Sequence, residues 1–115
     1  MAIIGAGLSG LSTAHFLKDH AEITLFEKAC DVGGRISTRR AEPYFFDHGA
    51  QYFTARTKAF QDFIQPLINQ GIIERWSARY VKFDSDKIIE RKNWRDDEPR
   101  YVGVPGMNKI AKHLA

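Results

Sequence analysis

Several features that point to particular classes of protein are scarce or absent in this sequence. The 115 residues include one cysteine, Cys30, which excludes an internal disulfide and favours a reducing compartment. The four histidines are scattered without the spacing of a metal site, so we expect no metal. No run approaches the roughly 18 apolar residues that span a membrane. We therefore expect no membrane partner and a cytoplasmic location.

A strong excess of charge of one sign is also missing. The chain carries 17 basic and 14 acidic residues, with a pI near 9.1. Its one local basic cluster contains Arg35, Arg39 and Arg40. Without an aromatic stacking motif or a zinc-binding set, this balance favours solvated charge and phosphate neutralisation over nucleic-acid binding. The length suits a domain with its own core, and there are no internal repeats.

The sequence does contain a glycine-rich turn, and its position between predicted elements is informative about the fold. Gly5, Gly7 and Gly10 form a G-x-G-x-x-G motif after an apolar run at residues 1–4. Residues 8–19 have helical periodicity, and residues 23–26 read as a second buried strand that ends at Glu27. This order of strand, turn, helix, strand and acid predicts a dinucleotide-binding βαβ unit.

Each part of this unit has a mechanical role. Gly5 permits the sharp turn, Gly7 lets the backbone approach a pyrophosphate, and Gly10 lets the helix and strand pack closely. The helix N-terminus offers free N–H groups to the phosphates. Glu27 is spaced to accept hydrogen bonds from the ribose hydroxyls. The open alternative is a βαβ unit that binds no nucleotide.

A second glycine pair narrows the choice of cofactor. From Gly5 to Arg40 the chain resembles the extended fingerprint of the FAD-binding amine oxidase superfamily, in which the acid is followed by G-G-R and then Ser or Thr. The resemblance implies that Gly33 and Gly34 bring a second loop to the same pyrophosphate. Arg35 would neutralise the charge with its fork of donors.

Two further segments are similar to the renalase-like branch of that superfamily. They are residues 46–56 and residues 100–107. By this resemblance, residues 49–52 would run beside the flavin ring, although an ordinary strand-ending turn is the alternative there. The cofactor-binding residues that we predict are Gly5, Gly7, Leu8, Ser9, Gly10, Glu27, Lys28, Gly34, Arg35, Gly49, Ala50, Gln51 and Tyr52.

Beyond residue 56 the pattern changes. Residues 57–70 have helical spacing with Gly71 as a stop, and Pro66 is expected to kink or restart that helix. Its apolar stripe is expected to face a substrate domain. Residues 72–83 read as one or two strands, and residues 84–100 as an exposed hairpin. Asn108 is the expected N-cap of a last helix.

The predicted fold class is α/β: a Rossmann-like FAD-binding βαβ domain with the start of an inserted substrate domain. Residues 1–56 would form the FAD-binding portion, 57–98 the beginning of the substrate domain and 99–115 the return. The chain is expected to be the N-terminal part of an FAD-dependent oxidoreductase, inactive alone, whose small-molecule substrate is a reduced nicotinamide or an amine. No catalytic residue can be nominated. A non-catalytic dinucleotide-binding fragment and a nicotinamide-dependent dehydrogenase domain are the alternatives.

Overall fold

A computed structural model describes residues 1–115 and contains three helices and nine strands. The helices are α1 (Leu8–Leu17), α2 (Lys58–Asn69) and α3 (Asn108–Leu114). The strands are β1 (Ala2–Ile4), β2 (Thr24–Phe26), β3 (Thr38–Ala41), β4 (Tyr44–Asp47), β5 (Phe53–Thr54), β6 (Ile73–Arg75), β7 (Arg79–Asp84), β8 (Lys87–Asn93) and β9 (Arg100–Gly103). None of the helices is long and apolar enough to cross a membrane.

The N-terminal βαβ unit forms as predicted. β1 and β2 pair in parallel, with Ala2 opposite Thr24 and Ile4 opposite Phe26. α1 connects them and ends at Leu17, earlier than the periodicity predicted. Parallel pairing is possible because the crossover helix carries the chain back to the start of the sheet.

The remaining strands form a hairpin of β3 and β4, a sheet of order β5-β9-β6, and a hairpin of β7 and β8. Residues 72–83, for which one or two strands were predicted, contain β6 and most of β7. The exposed hairpin begins at Arg79, earlier than predicted. β6 pairs with β9, so a segment assigned to the inserted domain shares a sheet with the return segment. The domain boundaries at residues 57 and 99 stay predictions.

α2 begins and ends at residues that the sequence marks. The Thr57 hydroxyl accepts a hydrogen bond from the Phe60 amide at 3.3 Å. At the other end, Gly71 has a φ of 68°, and the amides of Gly71 and Ile72 return to the last turn. Of the two effects expected of Pro66, a restart is wrong, because one helix spans Lys58–Asn69, and a kink stays a prediction. Proline near the end removes a single amide, and its fixed φ suits a helix.

The core lies between α1, α2, α3 and β6. Its most buried large side chains are Leu11, Ile73 and Met107. We expected the apolar stripe of α2 to face a substrate domain. Instead, two residues of the stripe, Ile64 and Leu67, are buried in this core. Even so, the solvent-accessible surface of the chain is 8489 Å², which is larger than the roughly 6,400 Å² expected for a compact protein of this mass.

Candidate cofactor-binding site

The first glycine turn is built as the motif predicts. Gly5 has a φ of 96°, a left-handed conformation that favours glycine, and its amide donates to the Phe26 carbonyl at 2.7 Å. A Cβ on Gly10 would lie 2.1 Å from the Gly5 carbonyl oxygen, so only glycine lets α1 approach the turn. A Cβ on Gly7 would meet no protein atom within 4 Å. Gly7 therefore faces open space at the start of α1.

The second glycine loop lies directly beside the first. The Gly33 amide donates to the Ala6 carbonyl at 2.8 Å, and Gly7 and Gly33 form a parallel bridge. Gly33 and Gly34 have φ values of 119° and 53°, both in the region that favours glycine. A Cβ on Gly34 would lie 3.4 Å from the Gly7 Cα. The two loops thus present their backbones to the same space.

That space is a cleft of about 630 Å³, which we call the glycine cleft. It is lined by Ile4, Gly5, Gly7, Leu8, Ser9, Gly10, Gly33, Gly34, Arg35, Ile36 and Ala50. Most of the predicted cofactor-binding residues are therefore brought together, although they come from three separate stretches of the chain. The first-turn amides of α1 have no partner within the helix, and they add a positive dipole end to the cleft.

Arg35 is exposed at the cleft and has no carboxylate within 4 Å. It belongs to a short 3-10 turn, Gly34–Ile36. Its backbone carbonyl is held by the Ala50 amide at 2.9 Å. A fixed backbone with an unpaired guanidinium suits an anion in the cleft.

Glu27 has a structural role that the sequence did not reveal. One carboxylate oxygen accepts from the Ala6 amide at 2.6 Å, and the other accepts from the Ala29 amide at 2.8 Å. These bonds, that of Ala29 first, hold the pKa of Glu27 below its ordinary value of 4.5, and the charge of Lys28 adds to the effect. Lys28 itself is exposed. A carboxylate has about four acceptor positions, so Glu27 can still accept from a ribose. That contact stays a prediction.

The four residues of the predicted flavin-side segment lie in four different environments. Gly49 packs against Arg35, since a Cβ there would lie 2.1 Å from the Arg35 carbonyl oxygen. Ala50 lines the glycine cleft, whereas Gln51 lines another cavity of about 480 Å³. Tyr52 packs against Trp94, with ring centroids 5.2 Å apart. The close approach of Gly49 thus serves the protein's own backbone, and contact of residues 49–52 with a flavin stays a prediction.

The start of α3 is anchored by residues that we did not predict. The Met107 amide donates to the Asp47 carboxylate at 3.0 Å, and the Asn108 amide donates to the Thr38 hydroxyl at 3.1 Å. Thr38 in turn donates to Asp47 at 2.5 Å. Asn108 is therefore the first helical residue rather than the N-cap, and its side chain caps nothing. The anchoring pair is 60 to 70 residues away in sequence, beyond any local capping signal.

A family of known domains matches the same part of the chain. Residues 3–67, more than half of the sequence, match the NAD(P)-binding Rossmann-like domain.

This chain belongs to that family.

The curated relatives of this Rossmann-like domain include oxidases and a desaturase. Prenylcysteine oxidase 1-like of Mus musculus is 37% identical over 101 residues, which are 82% of this chain and 20% of that protein. Coproporphyrinogen III oxidase of Staphylococcus aureus is 29% identical over 92 residues, 76% of this chain and 20% of that one. A 4,4'-diapophytoene desaturase of Staphylococcus aureus is 34% identical over 76 residues, 56% of this chain and 15% of that one.

Among solved structures, a redesigned putrescine oxidase superimposes with a TM-score of 0.53 at 26% identity. The match covers 84% of this chain and 21% of that structure. The chain thus spans about a fifth of the length of the first relatives that it matches. The predicted α/β Rossmann-like fold is confirmed.

Proposed function

We propose that this Rossmann-like domain binds FAD and belongs to an oxidoreductase of the renalase-like branch of the amine oxidase superfamily. The observation that carries the proposal is the pairing of two glycine loops around one cleft. A nicotinamide-binding turn alone gives no reason for the second loop or for the unpaired Arg35 beside it. Relatives named as oxidases, among them a putrescine oxidase, support the oxidoreductase part of the proposal.

The residues of the cleft fit a dinucleotide that carries a pyrophosphate. Its volume of about 630 Å³ lies within the roughly 300–1,000 Å³ usual for ligand sites. Gly7 leaves open space where a Cβ would stand, so phosphate oxygens could reach the first amides of α1. Arg35 supplies a cation that no carboxylate of the chain neutralises.

Each group then has a defined task. The amides from Gly7 to Gly10 would hold the pyrophosphate, Arg35 would neutralise it, and Glu27 would accept from the adenosine ribose. Residues 49–52 would lie along the flavin ring. FAD, when bound, would supply a hydride acceptor, and dioxygen is the oxidant that we propose for the reduced flavin. The protein's part would be to position the flavin and its substrate.

The substrate we propose is a reduced nicotinamide compound, particularly an abnormal dihydro isomer, or an amine. Residues 57–98 would begin the substrate domain and residues 99–115 would return to the cofactor side. We propose a cytoplasmic protein without nucleic-acid or membrane partners. Because the chain spans about a fifth of its relatives, the 115 residues alone are expected to bind FAD weakly and not to turn over.

The second candidate is a nicotinamide-binding domain, which the description of the family favours. Titration of the purified chain with FAD and with NAD separates the two, because only flavin has a visible absorption band that shifts on binding. We expect FAD to bind and an excess of NAD to leave it in place. Displacement of FAD by NAD, or binding of NAD alone, would favour the dehydrogenase domain. Absence of binding by either dinucleotide would favour a βαβ unit without a nucleotide.

A further inference from the structure

A separate pocket of about 260 Å³ lies where the β7–β8 hairpin meets the start of β9. It shares no lining residue with the glycine cleft. Its walls are Arg75, Trp76, Ser77, Ala78, Arg79, Asn93, Trp94, Arg95, Asp96, Pro99 and Arg100. We call it the tryptophan–arginine pocket, since it gathers both tryptophans of the chain and four of its arginines.

The aromatic side chains form a connected platform. The rings of Trp76 and Trp94 meet edge to face, with centroids 4.6 Å apart. Tyr52 extends the cluster from the side, 5.2 Å from Trp94. The Arg100 guanidinium carbon lies 4.6 Å from the centroid of the Trp94 ring, within the range of a cation–π contact. Because the two indole rings are perpendicular, a planar ligand can stack on only one of them, and Trp76 is the more exposed of the two.

The charges of the pocket are only partly balanced within the chain. Arg75 pairs with Asp96, and Arg95 pairs with Asp97. Arg79 has no carboxylate within 4 Å and donates no side-chain hydrogen bond.

Arg100, which is half-buried, likewise has no carboxylate partner. Its Nη1 reaches the Glu98 carbonyl at 3.4 Å, and its Nε is shielded without an acceptor. Together with Arg79 it leaves two uncompensated cations beside the aromatic platform. Arg100 is partly shielded from water, so its attraction for an anion is screened less than in bulk water, whereas Arg79 is exposed and adds a solvent-accessible cation.

We propose that the tryptophan–arginine pocket binds an organic anion with a planar ring, of mononucleotide size. The ring would stack on Trp76, and the anionic group would be held by Arg79 and Arg100. The volume of about 260 Å³ is less than half that of the glycine cleft, about 630 Å³, and therefore suits a mononucleotide better than a whole dinucleotide. This site does not depend on which dinucleotide occupies the glycine cleft.

Tryptophan fluorescence of the full chain tests the proposal, because both reporting residues line this pocket. We expect AMP to give a saturable change in emission. Adenosine and inorganic phosphate should each bind at least about tenfold more weakly, since each supplies half of the recognition. Arg79→Gln should weaken AMP about fivefold or more. Arg91→Gln removes a charge from the same hairpin outside the pocket, and should leave AMP binding unchanged.

AMP also resembles part of a dinucleotide, so the glycine cleft needs its own control. Gly7→Ala, which adds a methyl group at the glycine cleft without a clash, should weaken ligands of that cleft and leave the fluorescence titration with AMP intact. Loss of that titration in Gly7→Ala would assign AMP to the glycine cleft and overturn the proposal. A flat titration up to millimolar AMP, equal binding by Arg79→Gln, or tighter binding of a single-stranded oligonucleotide would also overturn it. AMP binding by a chain that does not bind FAD would support this pocket while refuting the proposed function.

Discussion

Gly7 and Gly10 lie three residues apart in one turn, yet the structure predicts opposite effects for their alanine variants. Gly7 has a φ of −74° and a ψ of 175°, which alanine adopts without strain, and its Cβ would meet no protein atom. Gly7→Ala should therefore fold normally, with a gain of up to about 0.4–1 kcal/mol from the restricted unfolded chain. The added methyl group would project into the space proposed for the pyrophosphate. We expect FAD affinity to fall roughly tenfold or more, equivalent to about 1.4 kcal/mol.

Gly10→Ala acts on the fold instead. The new Cβ would lie 2.1 Å from the Gly5 carbonyl oxygen, so α1 must withdraw by about 1.3 Å to restore an ordinary contact. Overpacking of this kind costs about 1–3 kcal/mol, and the better helix propensity of alanine offsets about 1 kcal/mol. Because the clash is with backbone, which cannot swing aside, we expect a net loss of about 1–2 kcal/mol.

The assay is urea unfolding followed by circular dichroism, together with an FAD titration of each variant. The refuting result for the cofactor site is Gly7→Ala binding FAD as tightly as the parent, since the pyrophosphate then does not approach Gly7. The refuting result for the packing argument is Gly10→Ala unfolding at the same urea concentration as the parent. The two variants serve as controls for each other.

Three further predictions concern single polar groups. Because the pKa of Glu27 in the folded protein is lowered, the stabilising effect of this carboxylate should be complete above its ordinary pKa of 4.5 and be lost as the pH falls through the folded-state pKa. Glu27→Gln should abolish this loss of stability at acid pH in urea unfolding experiments. The same acid dependence in the variant and the parent would refute the prediction. Arg35→Lys should retain part of the FAD affinity and Arg35→Ala less, because lysine keeps the charge without the fork; titration of Arg35→Ala at parental affinity would reduce Arg35 to a loop residue. Thr38→Val should lower the free energy of unfolding by about 1–2 kcal/mol through loss of the bonds to Asp47 and Asn108, and Thr38→Ser, which keeps the hydroxyl, should restore most of it in thermal melts.

Local patterns in the sequence determined the first βαβ unit and the ends of α2. A glycine indicates a turn that needs a left-handed backbone conformation. Apolar residues that repeat every two or every 3.6 positions indicate a strand or a helix. These signals lie within a few residues of the structure they specify. Gly5, Gly10 and Gly71 accordingly have the conformations or contacts that the sequence predicts.

Only the tertiary structure decided which distant residues meet. No local pattern indicates that Thr38 and Asp47 anchor α3, or that Gly49 closes on Arg35 rather than facing only a ligand. Tyr52, Trp94 and Arg100 form one cluster although more than 40 residues separate the first from the others. Contacts of this kind depend on how β9 inserts between β5 and β6. The pairing of strands that are far apart in sequence is set by the packing of the whole chain. Backbone hydrogen-bonding groups are alike at every residue and therefore do not specify which strands pair.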